Sequence, residues 1–179
     1  MKHTTSSKAC LFGLLLLGAL ALSQNAHALD KPFSRQGMFA GMGLGGGVSA
    51  LIDGDPLGDL TAHLQLGAGI GERLTLALNL EAHWQIGSDY FGTTLAPGVD
   101  LRIFLFKGLY LRVLPAMALA WLEAPDNFSV GFSGGLGLGY EMWFNTQWAG
   151  SFGLQADYTH FANASDRIFA GLIFGIRYY

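Results

Sequence analysis

The sequence predicts an all-β protein, an eight-stranded antiparallel up-and-down transmembrane β-barrel preceded by a cleaved signal peptide. Three observations predict it. Apolar residues recur at every second position in passages long enough to cross a bilayer as tilted strands. Eight such passages occur, the even number a closed single-chain barrel requires. Their connections alternate between tight turns and longer polar loops, so the two ends of the barrel differ.

The first 28 residues stand apart. Lys2 and Lys8 form a positive start, Leu11 to Leu22 an apolar run, and Ala26-His27-Ala28 a small-residue cleavage signal. The run is too short to span as a helix. Cys10 precedes it and is not placed for lipid attachment. Residues 29–179 then form a single barrel domain with no cysteine, so no disulfide or thiol chemistry is available. Without Lys2 and Lys8, 8 basic residues face 13 acidic ones, a formal charge of −5. That balance argues against nucleic-acid binding.

The strands follow in order. The first, Gly37 to Val48, alternates Met38, Ala40, Met42 and Leu44 with Phe39 and glycines. The second sets Leu60, Ala62, Leu64, Leu66, Ala68 and Ile70 against Thr61, His63, Gln65, Gly67 and Gly69. The third is the clearest: Leu74, Leu76, Leu78, Leu80, Ala82, Trp84 and Ile86 against Thr75, Ala77, Asn79, Glu81, His83 and Gln85. The fourth runs from Leu95 to Leu105 with Gly98, Asp100 and Arg102 on its polar face, and the fifth from Leu109 to Trp121 with Tyr110 and Arg112. The sixth, Val130 to Met142, opposes Val130, Phe132, Leu136 and Leu138 to serines, glycines and Glu141. The seventh, Trp148 to Thr159, carries Gln155 and Asp157 on its polar face. The eighth, Ala170 to Tyr178, carries Gly171, Gly175 and Arg177.

Tight turns are expected at 70–73, 106–108 and 144–147, and longer loops at 52–58, 87–92, 123–127 and 162–166. A soluble up-and-down barrel such as a lipocalin also alternates, with its apolar face inward. Here the polar face is poor in charge and rich in glycine, and it would make a thin solvent surface. The apolar face is therefore assigned to lipid. Trp84, Trp121, Trp143, Trp148, Tyr158 and Tyr178 sit near strand ends and are expected in interfacial aromatic girdles, with Tyr90, Phe91 and Phe128 in the upper one. Tyr110 falls in the inward phase and is left out of the girdle. Pro97 and Pro115 lie inside adjacent strands, where each removes a ladder donor, so bulges or irregularity are expected there.

The pattern resembles the small OmpA-type barrels of Gram-negative outer membranes, from the Ala-His-Ala signal end to the aromatic C-terminus Phe174-Gly175-Ile176-Arg177-Tyr178-Tyr179. The resemblance implies an outer-membrane location and contact with membrane lipid and lipopolysaccharide. It also implies insertion by a barrel-assembly machinery that reads an in-phase terminal aromatic. Tyr178 is in phase and Tyr179 one beyond. A monomer is expected.

The inward phase carries His63, Glu81, His83, Asp100, Arg102, Arg112, Glu141, Asp157 and Arg177. Tight turns place His63 opposite Glu81 and Arg102 opposite Arg112, with Asp100 diagonal to Arg112; Asp100 and Glu141 are expected to neutralise the arginine pair. An ion-pair plug is the expected content of so narrow a barrel. The alternative is a narrow passive pore through gaps left by glycines. Gly41 to Gly46 spells G-x-G-x-x-G but opens no helix, so it is no dinucleotide loop. His160-Phe161-Ala162-Asn163 is similar to the His-x-Ser-Asn stretch of outer-membrane lipid A deacylases, the less expected reading. Ala162 stands where the nucleophilic serine belongs, and strand eight offers no lipid-facing acid. No catalytic set, metal site or cofactor is expected. Asp53, Asp55, Asp59, Asp89, Glu123, Asp126 and Asp166, with Arg167, are assigned to a solvated outer rim.

Overall fold

The computed structural model describes residues 33–52, 55–88, 91–122 and 128–179. The signal segment lies outside them, as do Asp53, Asp89, Tyr90, Glu123 and Asp126. Eight strands form in sequence order: β1 (Gly37–Leu51), β2 (Pro56–Gly69), β3 (Leu74–Ile86), β4 (Phe91–Phe106), β5 (Leu109–Leu122), β6 (Phe128–Trp143), β7 (Trp148–Phe161) and β8 (Arg167–Tyr178). Each pairs antiparallel with its chain neighbours, and β1 closes on β8. Closure leaves no strand edge unpaired, the condition for placing a sheet in lipid.

Hydrogen-bonding geometry sets the tight end. Ile70 N–H donates to the Leu74 carbonyl at 2.7 Å. Gly71 takes φ +72° in that turn, a left-handed conformation a side chain would oppose. Asn145 Oδ1 accepts from the amides of Gln147 and Trp148 at 2.9 and 2.8 Å and shapes the turn between β6 and β7. The tight turns form the lower end of the barrel.

Three expectations need correction. First, the strands reach further at the upper end than the alternation of apolar residues does. Residues 56–58, 91–92 and 167–169, expected in or next to loops, are ladder residues. The apolar pattern marks only the length of strand that meets lipid; backbone pairing continues above it, whatever the side chains. Asp59 and Arg167 are consequently interior strand residues, not rim residues. Second, Pro97 and Pro115 bring the expected local irregularity in pairing but no bulge. Both point outward. The β4–β5 partners Leu95↔Leu119, Gly98↔Ala116 and Leu101↔Val113 keep one register past them, although the pairing skips positions in between. Two prolines two positions apart on the same seam lose donors without inserting a residue. The register shift in this hairpin lies at Phe104/Phe106, beside the turn. Third, Trp143 follows Glu141 onto the inward phase. Its ring lies 4.8 Å from that of Tyr179, tilted, and 6.0 Å from that of Phe33, edge to face, at the lower mouth and away from the lipid-facing girdle.

Candidate functional site

The outside and inside of the barrel divide along the period of two. Leu78 is 70% exposed, Leu44 69% and Phe132 73%, and comparable side chains cover the outer face of every strand. Such a continuous apolar surface is untenable in water and suits acyl chains. Trp121 and Phe128 pack at 5.3 Å near the upper end, Trp148 and Tyr178 at 5.0 Å near the lower. Trp84 and Tyr158 lie outward at the upper level.

The interior is polar because every second position there is polar or small. At mid-height the side chains tie six strands together. Asp100 of β4 accepts from Arg102 Nε at 3.1 Å, from Arg112 Nε of β5 at 2.5 Å and from Gln65 Nε2 of β2 at 2.6 Å. Gln65 Oε1 accepts from Arg177 of β8 at 2.9 Å and from Arg102 at 3.3 Å. Arg112 crosses the lumen to donate to Gln155 of β7 and lies 3.4 Å from Glu81 Oε2 of β3. Gln155 Nε2 then donates to Glu81 Oε1 at 2.8 Å and to Asp157 Oδ2 at 2.7 Å. Arg102 and Arg112 stand opposite each other as like charges, and Asp100 between them makes the pairing tenable.

The lower mouth is locked by a residue outside any strand. Arg35 Nε meets Glu141 Oε1 at 2.7 Å, and its guanidinium also donates to the carbonyls of Lys107 (3.1 Å) and Glu72 (3.4 Å). It lies 3.8 Å over the Phe104 ring. Tyr179 hydroxyl donates to Glu141 Oε2 at 2.9 Å, and Arg177 approaches the same oxygen at 3.8 Å. Arg177 also rests on Phe39, and Arg102 on Tyr110 at 4.7 Å.

The upper lumen is looser. His83 Nδ1 bonds Asp59 Oδ1 at 3.1 Å, its ring stands edge-on to buried Phe169 at 5.1 Å, and its Nε2 faces Glu81 Oε1 at 3.6 Å. Arg167 donates to Thr94 at 2.9 Å. Ser49, Thr61 and Ser129 have buried hydroxyls without a hydrogen-bond partner among the described residues, as does Asp157 Oδ1.

No family model matches the sequence, and no curated protein does. Solved structures do match. The crystal structure of Neisserial surface protein A superposes with a TM-score of 0.65 at 12% identity, covering 79% of this chain and 96% of that one. Ail, the attachment invasion locus protein of Yersinia pestis, gives 0.56 at 9% identity, covering 80% and 99%. The fold is that of the small eight-stranded outer-membrane β-barrels. At such identities the likeness extends to the fold alone.

Within this outer-membrane-type barrel, all nine inward residues singled out from the sequence are buried in the lumen. Glu81, Asp100, Arg102, Arg112, Asp157 and Arg177 join through the mid-height layer. Glu141 does not reach the arginine pair as expected; it serves the lower lock, and Glu81 shares Arg112 with Asp100. His63 lies opposite Glu81 in register. Arg35, Asp59, Arg167 and Tyr179 were missed. Asp59 and Arg167 carried a legible signal, since they continue the inward phase of Thr61 and Arg177. Arg35 belongs to no periodic segment and carried none. With them, the described interior holds five carboxylates against five arginines, so charge balance comes from the whole lumen.

On the outer surface His160 Nδ1 bonds Asp166 Oδ1 at 2.8 Å, and Tyr158 donates to the other oxygen of the same carboxylate. The Tyr158 hydrogen bond, joined by that of His160, holds the Asp166 carboxyl below the ordinary carboxylate range. An acid therefore does face His160, supplied by the residue before β8 and not by β8 itself. Ala162 still occupies the nucleophile position.

Proposed function

We propose that the protein is an integral outer-membrane barrel with a structural, envelope-stabilising role, its lumen closed by its own side chains. One observation carries this reading: the hydrogen-bonded layer around Asp100 and Arg112 draws on six of eight strands and crosses the barrel. A layer so tied braces the wall and fills the path a solute would take. Export follows from the signal segment at 1–28, and Tyr178 is the aromatic offered to the assembly machinery. Lipid and lipopolysaccharide are its surroundings, it acts as a monomer, and it is non-enzymatic, Ala162 standing where a deacylase-like nucleophile would follow His160.

A narrow passive pore is the second reading. It is favoured by the unpartnered hydroxyls of Ser49, Thr61 and Ser129, which suit a wet upper vestibule. Planar-bilayer conductance of the folded protein decides between the two, with folding checked by faster migration on an unheated detergent gel. The structural reading expects a silent bilayer for the wild type and openings for Arg112→Ala. Steady wild-type channels would overturn it.

A further inference from the structure

The sequence spacing of histidines and acids points to no metal, yet the register gathers three of them. Glu81 and His83 are inward neighbours on β3, and Asp157 reaches them from β7 across the lumen. One ligand atom from each lies within 4.8 Å of the others. We infer that Glu81, His83 and Asp157 form a binding site for a divalent first-row transition-metal ion where the mid-height layer meets the upper lumen.

The geometry carries the argument. Asp59 is a carboxylate and can only accept, so His83 keeps a proton on Nδ1 and presents Nε2 to Glu81. This is the arrangement by which an outer carboxylate orients a metal-binding imidazole. Bonds of about 2.1 Å at tetrahedral angles separate neighbouring ligand atoms by about 3.4 Å. His83 Nε2 and Glu81 Oε1 stand 3.6 Å apart, so the two need hardly move. Asp157 supplies the third ligand, and its carboxylate is only half satisfied, since Oδ2 accepts from Gln155 while Oδ1 is buried without a hydrogen-bond partner. Gly135 leaves the room that carboxylate occupies; a Cβ there would overlap Oδ1. Charge agrees. Glu81 and Asp157 converge on one Gln155 amide group, and Arg112 is already shared with Asp100. The lumen balances as a whole, so a cation here would offset a local excess of carboxylate beside Glu81 and Asp157. One imidazole with two carboxylates suits zinc, iron(II), cobalt(II) or manganese(II). The ordinary competitor is a doubly protonated His83 paired with Asp59 and Glu81, which would leave no ligand lone pair.

The test is metal retention by the folded protein. Wild type, His83→Ala, Asp157→Asn and His160→Ala are refolded with Zn2+ or Co2+ and desalted. Folding is confirmed on the unheated gel, and metal is then counted. The site expects about one zinc per wild-type barrel, and a cobalt spectrum of nitrogen and oxygen ligands with no sulfur band. His83→Ala and the near-isosteric Asp157→Asn should each retain roughly tenfold less, as loss of a ligand or its support does. His160→Ala should bind like wild type. A wild-type barrel that holds no metal would overturn the site. So would retention that survives both interior substitutions, or that depends on His160 instead.

Discussion

The two ends of the lumen are built differently. At the lower end the charged groups converge on one carboxylate: Glu141 receives Arg35, Arg177 and Tyr179, and Phe39, Phe104 and Trp143 pack around them, with only guanidinium nitrogens of Arg102 and Arg177 left without a partner among the described residues. At the upper end several hydroxyls and one carboxylate oxygen have no partner, although they are just as buried. A matched cluster is rigid and costly to break, because removing one member leaves another charge buried alone. Unmatched groups are costly to keep unless something else satisfies them. On the proposed reading the lower lumen acts as a seal, and the upper lumen is where water or an ion would satisfy the unmatched groups.

That contrast can be broken by substitution, with stability read from reversible urea unfolding in vesicles. The largest effect is expected at the seal. Glu141→Ala strands two guanidinium groups and should cost about 3–5 kcal/mol. A loss below 1 kcal/mol would mean the lower cluster is decorative. Leu78→Arg, on the lipid face at mid-height, should cost about 2–4 kcal/mol. It calibrates the interior effects against the exterior, and a negligible cost would reassign the outer face. Arg35→Ala removes one of three donors to Glu141 and should cost about 1.5–3 kcal/mol, less than the loss of Glu141 itself. Equal costs would mean Tyr179 and Arg177 do not share the load. The smallest effect belongs to the upper lumen. Thr61→Val replaces an unpartnered hydroxyl with a methyl group and should change stability by no more than about 0.5 kcal/mol. A clear loss would show that the hydroxyl is bonded to something, and would favour a hydrated vestibule.

The interior also prices one change that looks mild in the sequence. Gln65 sits among polar inward residues and reads as replaceable. In the barrel its amide donates to Asp100 at 2.6 Å while its carbonyl accepts from two arginines. Gln65→Glu would set a second carboxylate against Asp100. Only the convergence of β2, β4 and β8 makes that visible.

Much of this protein was legible because a strand in lipid writes its orientation into every second residue. Leu78 and Glu81 differ by three positions and so must face opposite ways, and the tight turn at 70–73 then puts His63 across from Glu81. Strand count, alternation, cross-strand neighbours and the membership of the mid-height layer follow from local rules of this kind. Other features answer to no local rule. Arg35 enters the lumen from outside the periodic segments, Tyr179 turns in one residue past the last strand, and Trp143 takes the inward phase of Glu141. Strand ends above the lipid lose the apolar signal, which hid Asp59 and Arg167. The meeting of His83 and Glu81 with Asp157 requires closure of the barrel, since β3 and β7 are far apart in the chain and share no ladder. A sequence of alternating faces determines which side chains point inward. Only the closed cylinder, by bringing non-adjacent strands within reach of one another, decides which of them touch.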